Sequence, residues 1–199
     1  KKSELTDIYT NFDPLEIKKI ERTTNHDVKA IEYYIRNRFK LINNPHTNFI
    51  HFALTSQDIN NTALPLSISE AMSALILPNI TNIITSLKTL SEKWNYIPLL
   101  SQTHGQPASP TKLGKEMMVF VERLEIQFES LSNTKLYAKF GGAVGNFNAH
   151  HIAYPEIDWS KFADKFINNY GLKRSKYTTQ IDHYDSLSGV FDNLKRINT

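Results

Sequence analysis

Apolar positions recur at three- and four-residue intervals over most of this chain, and the polar breaks between those runs predict where its helices end. Asp13-Pro14 reads as the cap and first position of a short helix through Ile17, Ile20 and Glu21, whereas residues 1–12 carry no sustained period. From Asp27, the positions Val28, Ile31, Ile35 and Phe39 describe one helical face that closes near Leu41-Ile42, and Asn43-Asn44-Pro45-His46 reads as a loop. Residues 49–54 alternate briefly like a strand but are too short for one and read as helical or irregular. A long helical rhythm then runs from residue 56 to 94 through Leu75, Leu77, Ile80, Ile83, Ile84, Leu87 and Leu90, with Pro65 and Pro78 expected to kink or split it. Leu113, Met117, Phe120, Val121, Leu124, Phe128, Leu131 and Leu136 carry a second long helix. Residues 158–169 predict a helix capped by Asp158 and stopped near Gly171, and residues 185–197 predict another. Strand signals are nearly absent, so the expected fold class is all-α.

Two long helices joined by a bend predict an antiparallel pair, whose leftover apolar faces call for further helices or other subunits. The bend is Ser101-Gln102-Thr103-His104-Gly105-Gln106-Pro107-Ala108-Ser109-Pro110. Its prolines forbid a continuous helix, and Ser109-Pro110 reads as an N-cap with proline at the first helical position. The next helix would then turn its partly positive end towards His104, which suits an anion. Gly141-Gly142-Ala143-Val144-Gly145 reads as a tight turn ending the second long helix; it lacks the strand and lysine of a phosphate loop.

Composition narrows the chemistry. With 199 residues, 40% of them hydrophobic, the chain can bury a core and suggests one domain or one and a half. The net charge of +3 is spread along the chain, so nucleic acid is not indicated. No cysteine is present, which excludes disulfides, thiolate-bound zinc, iron–sulfur clusters and thiol nucleophiles. No His-Glu-x-x-His or comparable metal spacing occurs. No apolar run reaches bilayer-spanning length and no signal core follows Lys1-Lys2, so no membrane partner is expected. A start without methionine and an end straight after an amphipathic stretch suggest a portion of a longer protein.

His26 and His104 each sit at a polar break beside hydroxyl groups and an expected helix start. Thr55-x-x-Asp58 has two readings of equal weight: a capping box, or a helix N-terminus with the Thr55 and Ser56 hydroxyls ready for a carboxylate or phosphate. Asn25 has the same ambiguity, since it can simply cap the following helix. Taken together, several helix ends rich in hydroxyl, amide and imidazole groups fit one composite site.

The stretches Thr23-Thr24-Asn25-His26-Asp27-Val28, Phe52-Ala53-Leu54-Thr55-Ser56-Gln57-Asp58-Ile59-Asn60-Asn61, Thr103-His104-Gly105-Gln106-Pro107-Ala108, Gly142-Ala143-Val144-Gly145-Asn146-Phe147-Asn148-Ala149-His150 and Tyr177-Thr178-Thr179-Gln180 resemble, in order and spacing, the adenylosuccinate lyase family of the fumarase and aspartase superfamily. The resemblance implies a long-helix bundle, with residues 1–54 ending an N-terminal helical domain and residues 55–199 beginning the central bundle domain. It implies a cytoplasmic homotetramer with shared active sites, no cofactor, and β-elimination of fumarate from adenylosuccinate or succinylaminoimidazole carboxamide ribotide. By the same resemblance His104 is the general acid and His26 the second active-site histidine. Thr55 and Ser56 bind the succinyl carboxylate, Asp58 braces their turn, and Asn25, Asp27, Thr103 and Gln180 contact substrate. A carboxylate partner is expected to keep His104 protonated.

The family's base is a serine within a Gly-Ser-Ser-x-Met-Pro-x-Lys-x-Asn-Pro signature, and no such stretch occurs here. The chain is therefore expected to carry the acid half of the machinery and to be inactive alone. A non-catalytic helical or nucleotide-binding module and another fumarate-releasing lyase, such as argininosuccinate lyase, are the competing readings.

Overall fold

A computed structural model describes residues 2–41 and 45–199, so the expectations at Ile42, Asn43 and Asn44 lie outside the described residues. Helices dominate, as expected. The chain forms two compact units, Lys1–Leu64 with Ala138–Asp182, and Pro65–Tyr137 with His183–Thr199.

The first unit opens with α1 (Lys2–Thr10), a helix in the segment whose sequence shows no period. In α2 (Pro14–Thr24) Asp13 caps as predicted, accepting from the Leu15 and Glu16 amides at 2.9 and 3.3 Å. The Tyr34 hydroxyl of α3 (Asp27–Leu41) accepts from the Asp13 amide at 2.9 Å, and Arg38 of α3 pairs with Glu16 at 2.7 Å, tying the two helices together. One apolar face was expected on α3, but it is buried on two opposite sides, by Val28 and Phe39 and by Ala30 and Tyr34. Ile31 falls between them and is 43% exposed. Of residues 49–54, Phe49 ends a 3-10 turn at Thr47–Phe49 and the rest are irregular.

The long helical run is split once, but not at Pro65. Helix α4 (Ser56–Ala71) passes through Pro65 and continues into a π turn at Met72–Ile76, followed by α5 (Leu77–Lys93) with Pro78 in its first turn. The Leu77 amide bonds to the Met72 carbonyl, five residues back, and this wider turn accommodates the Pro78 ring. Pro65 has no N–H to offer the carbonyl four residues before it, which is that of Asn61. That carbonyl accepts instead from the Lys139 amide at 3.3 Å, so the proline opens a docking point on α4 for a distant segment. Taken as one helix, Ser56–Lys93 is 38 residues long with a window of mean hydropathy 1.3, enough by length and composition to cross a membrane, contrary to the expectation. Met72, Ile80 and Ile84 of this run are buried in the bundle described next, whereas Leu75 and Ile83 are exposed.

In the second unit, α6 (Leu113–Ser132) runs back along α5 and packs with α9 (Asp185–Ile197) around Met72, Ile80, Ile84, Val121, Leu131 and Val190. The bend between α5 and α6 departs from the expectation. It is an antiparallel hairpin of β1 (Pro98–Thr103) and β2 (Gln106–Lys112), in which Thr103 faces Gln106 and Leu100 faces Pro110. Ser109 and Pro110 therefore lie in a strand, and the helix begins only at Leu113, with Lys112 at its cap. Prolines are compatible with a two-stranded ribbon because each strand has an edge where a missing N–H breaks no ladder bond.

The start of α6 is clamped to the end of α5. Ser91 Oγ donates to the Gly114 carbonyl at 2.7 Å, and the Gly114 amide donates to the Trp94 carbonyl at 3.1 Å. A Cβ on Gly114 would stand 2.3 Å from the Ser91 carbonyl oxygen, so only glycine permits this approach. Helix α6 ends at Ser132, well before the glycine turn it was expected to reach; β3 (Tyr137–Ala138) intervenes. In the first unit α7 (Asn148–Ala153) and α8 (Trp159–Asn168) follow, with Asp158 capping α8 as predicted, and then β4 (Lys173–Arg174). Gly114→Ala is expected to cost about 1–3 kcal/mol through overpacking, read as a lower urea midpoint with α5 and α6 losing protection together in hydrogen exchange.

Candidate functional site

The first turn of α4 is built around Asp58, whose side chain is fully buried. Its Oδ2 accepts from the Thr55 amide at 2.9 Å, the back-bond predicted from Thr55-x-x-Asp58. The other half of the expected box is made by backbone, since the Asp58 amide donates to the Thr55 carbonyl at 2.9 Å. The carboxylate does more than cap. Gly141 and Gly142 donate their amides to it at 3.0 and 3.2 Å, and Lys139 Nζ, itself fully buried, lies 2.7 Å from Oδ1. Lys139 Nζ also donates to the Gly142 carbonyl. A buried carboxylate is costly unless its lone pairs are met, and here four N–H groups meet them.

The glycine turn, held by this pair, brings the next segment close. A Cβ on Gly145 would stand 2.2 Å from the Thr178 carbonyl oxygen, so two backbones meet there. Asn61 Oδ1 accepts from the Asp182 amide at 3.0 Å. Gln180, exposed, lies between these two anchors.

On the other side of the α4 N-terminus stands His26. Its Nε2 is 3.2 Å from Ser56 Oγ, and its Nδ1 accepts from the Lys29 amide at 3.3 Å and lies 3.2 Å from Asp27 Oδ1. Asn25 does not cap α3; it is the left-handed C-cap of α2, with φ +49, and its amide bonds the Glu21 carbonyl at 2.8 Å. Asp27 accepts from Asn60 Nδ2 at 3.1 Å. The Val28 amide, then Asn60 and the His26 ring, hold the Asp27 carboxyl below its ordinary value of 3.8. The structure thus brings His26, Asp27, Thr55, Ser56 and Asp58 into one hydrogen-bonded neighbourhood.

Thr103 and His104 belong to the second unit. Thr103 closes the hairpin, and His104 and Gly105 form its two-residue tip with φ +50 and +75, the handedness such a turn requires. His104 is exposed at that tip.

Other residues carry weight that their sequence context did not signal. Lys139 is one. His150, which follows the Gly-turn motif, is buried between Trp159 and Phe147, with Nε2 2.8 Å from the Ala53 carbonyl. Beside it an open apolar cavity of about 340 Å3 lies between Phe52, Thr55, Ala143, Tyr154 and Trp159. Glu32 is a third, buried and met by Lys29 at 2.8 Å, Arg36 at 3.0 Å and His51 at 3.0 Å. Burial raises its pKa, but the Lys29 hydrogen bond and the charges of Lys29, His51 and Arg36 outweigh burial and hold it below 4.5. Lys139 and His150 reach partners far along the chain, and Glu32 joins its helical neighbours Lys29 and Arg36 to His51.

The family model described as "Lyase" matches residues 4–199. The chain belongs to this lyase family. It is 49% identical over 205 residues to the adenylosuccinate lyase of Dictyostelium discoideum, covering 98% of this chain and 44% of that protein. It is 45% identical over 193 residues to the adenylosuccinate lyase of Escherichia coli strain K12, covering 96% of this chain and 42% of that protein. The chain thus spans less than half the length of these curated relatives. Among solved structures, the β-carboxy-cis,cis-muconate cycloisomerase of Acinetobacter calcoaceticus superposes with a TM-score of 0.80 at 16% identity, over 98% of this chain and 44% of that one, which shows a shared fold.

Lys139→Met strips a buried carboxylate of its cation and is expected to cost about 3–5 kcal/mol in urea unfolding; in the Asp58→Asn, Lys139→Met double variant the loss should be smaller than the sum of the two single losses. A second expectation concerns pH. The folded-state pKa of Glu32 is depressed, so its contribution to stability is present above 4.5 and lost as pH falls through the folded value. The stability gap between the parent chain and Glu32→Gln should therefore be full at neutral pH and close on acidification, as followed by thermal melts across the acid range.

Proposed function

We propose that this chain supplies part of the active site of an adenylosuccinate lyase, which eliminates fumarate from adenylosuccinate to leave AMP and from succinylaminoimidazole carboxamide ribotide to leave the free carboxamide. The observation that carries the reading is the neighbourhood at the α4 N-terminus, in a chain 42–49% identical to adenylosuccinate lyases. Ser56 hydroxyl, His26 imidazole and the first-turn amides of a helix 16 residues long converge there, and such a group favours an anion.

In the reaction a base removes a proton from the methylene carbon of the succinyl group, and the resulting charge spreads into the adjacent carboxylate. The electron pair then forms the carbon–carbon double bond of fumarate as the carbon–nitrogen bond breaks, and an acid protonates the departing nitrogen. In this reading Thr55 and Ser56 hold the succinyl carboxylate, and donors already in place stabilise its developing charge without reorganisation. Asp58 braces their turn. Asn25, His26 and Asp27 hold the nucleotide, Thr103 and Gln180 contact polar substrate groups, and His104 is the acid. The exposed hairpin tip suits a proton donor that meets a substrate held by other elements. The base is supplied by residues outside the 199 described by this sequence, which contains no serine-loop signature.

The same reading assigns residues 1–54 to the end of an N-terminal helical domain and residues 55–199 to the first part of a central bundle. It gives a cytoplasmic homotetramer that works without metal, organic cofactor, membrane or nucleic acid. Exposed Leu75, Ile83, Phe120 and Ile126 on the long helices support a core shared between subunits.

The complete lyase should release fumarate from adenylosuccinate, followed by absorbance, with AMP competing and argininosuccinate or malate not competing. His104→Ala in that protein should lower kcat by about a hundred- to ten-thousandfold, and an unaffected variant removes the acid assignment. The 199-residue chain alone should show no turnover. Fumarate release near the complete enzyme's rate would show that the base lies within it.

A further inference from the structure

Ala53 is an L-residue held at φ +59 two positions before Thr55, in a region of backbone space that disfavours a Cβ. Its own methyl group cannot hold it there. Its carbonyl is 2.8 Å from His150 Nε2, and a carbonyl only accepts, so Nε2 carries the proton and donates. Nδ1 is buried and has no hydrogen-bond partner among the described residues. The ring is clamped edge-on by Trp159 at 4.8 Å and Phe147 at 5.3 Å. On its remaining side Gly142 leaves the room it needs, since a Cβ there would stand 3.1 Å from Cε1. His150 is 8% exposed, so the ring that makes this hydrogen bond is largely shielded from solvent.

We propose that His150 is a positioning residue for the anion site: its Nε2–H holds the left-handed turn at Ala53 and so aims the Thr55 and Ser56 hydroxyls at the carboxylate of a dicarboxylate-bearing substrate. This rests on the lyase reading. The aromatic cage sets the ring's place and the hydrogen bond passes that placement to the turn, two residues from the groups that bind. Loss of the bond frees Ala53 to relax out of the left-handed region, which misplaces Thr55 and Ser56 while leaving the acid chemistry at His104 untouched. The signature is a defect in KM.

Two experiments test this. In 15N spectra of the histidine-labelled chain, the His150 signals, assigned by their disappearance in His150→Gln, should report a protonated Nε2 and a bare Nδ1; the opposite tautomer overturns the proposal whatever the protein catalyses. In the complete lyase, His150→Phe keeps the ring but lacks the donor and should raise KM for adenylosuccinate by about fivefold or more, with kcat within about twofold. His150→Gln places an amide N–H where Nε2 stood and should restore KM to within about twofold of the parent. An unchanged KM in His150→Phe, or equal damage in both variants, overturns the positioning role. A parent protein with no turnover on adenylosuccinate would instead sink the lyase reading and leave the tautomer result standing.

Discussion

The buried Asp58–Lys139 pair is the interaction on which the first unit depends. Neither charge could be buried alone, since each would carry an uncompensated desolvation cost of several kcal/mol. Together they let one carboxylate serve two ends: it caps the first turn of α4 through the Thr55 amide and gathers the Gly141 and Gly142 amides from more than eighty positions later. A salt bridge in this setting contributes specificity of arrangement more than net stability. It permits one placement of the glycine turn against the helix and penalises the alternatives, which would leave a charge or an amide unmet.

Pro65 prepares the same junction from within the helix. By withholding an N–H it leaves the Asn61 carbonyl open to the Lys139 amide, while the Asn61 side chain takes the Asp182 amide. One turn of α4 thus anchors the segments on both sides of the aromatic cluster of Phe140, Phe147, His150 and Trp159. Asn25 and Ala53 in the first unit and His104 in the second adopt left-handed conformations, and each lies in or close to a stretch that the lyase reading uses. Such conformations cost on the order of 1–3 kcal/mol and persist only where surroundings over-determine them. At Ala53 the surroundings are visible as the His150 hydrogen bond, and at His104 as the ladder of a two-stranded hairpin.

An elimination that passes through a carboxylate-stabilised carbanion rewards donors that are already oriented before charge develops. In the proposed function, a helix N-terminus whose first turn is braced by a buried carboxylate would meet that need, because the amides and hydroxyls around it do not have to be reorganised. The hairpin differs. It is a two-stranded ribbon exposed along most of its length, a form with little stability of its own.

Much of the helical architecture was legible in the sequence, because 3.6-residue periodicity and short-range caps are local properties. Asp13-Pro14, Thr55-x-x-Asp58, Asp158 and the span of α9 follow from residues within one or two turns of each other. The resemblance of five short stretches to one lyase family was legible for the same reason. The hairpin was not: Ser109-Pro110 is a good helix start by local rules, and only the pairing of residues 98–112 with one another makes it a strand. The single face expected for α3 failed because burial on two sides depends on what packs there. The weight that Lys139 and His150 carry was not legible, since Asp58 and Ala53 lie far back along the chain, and Glu32 is completed by His51 from beyond its own helix. Sequence alone determined where the backbone could be helical and which polar breaks were candidates for chemistry. The tertiary structure decided which of those breaks share hydrogen bonds, because a buried charge or a bare carbonyl finds its partner only when distant segments are brought together.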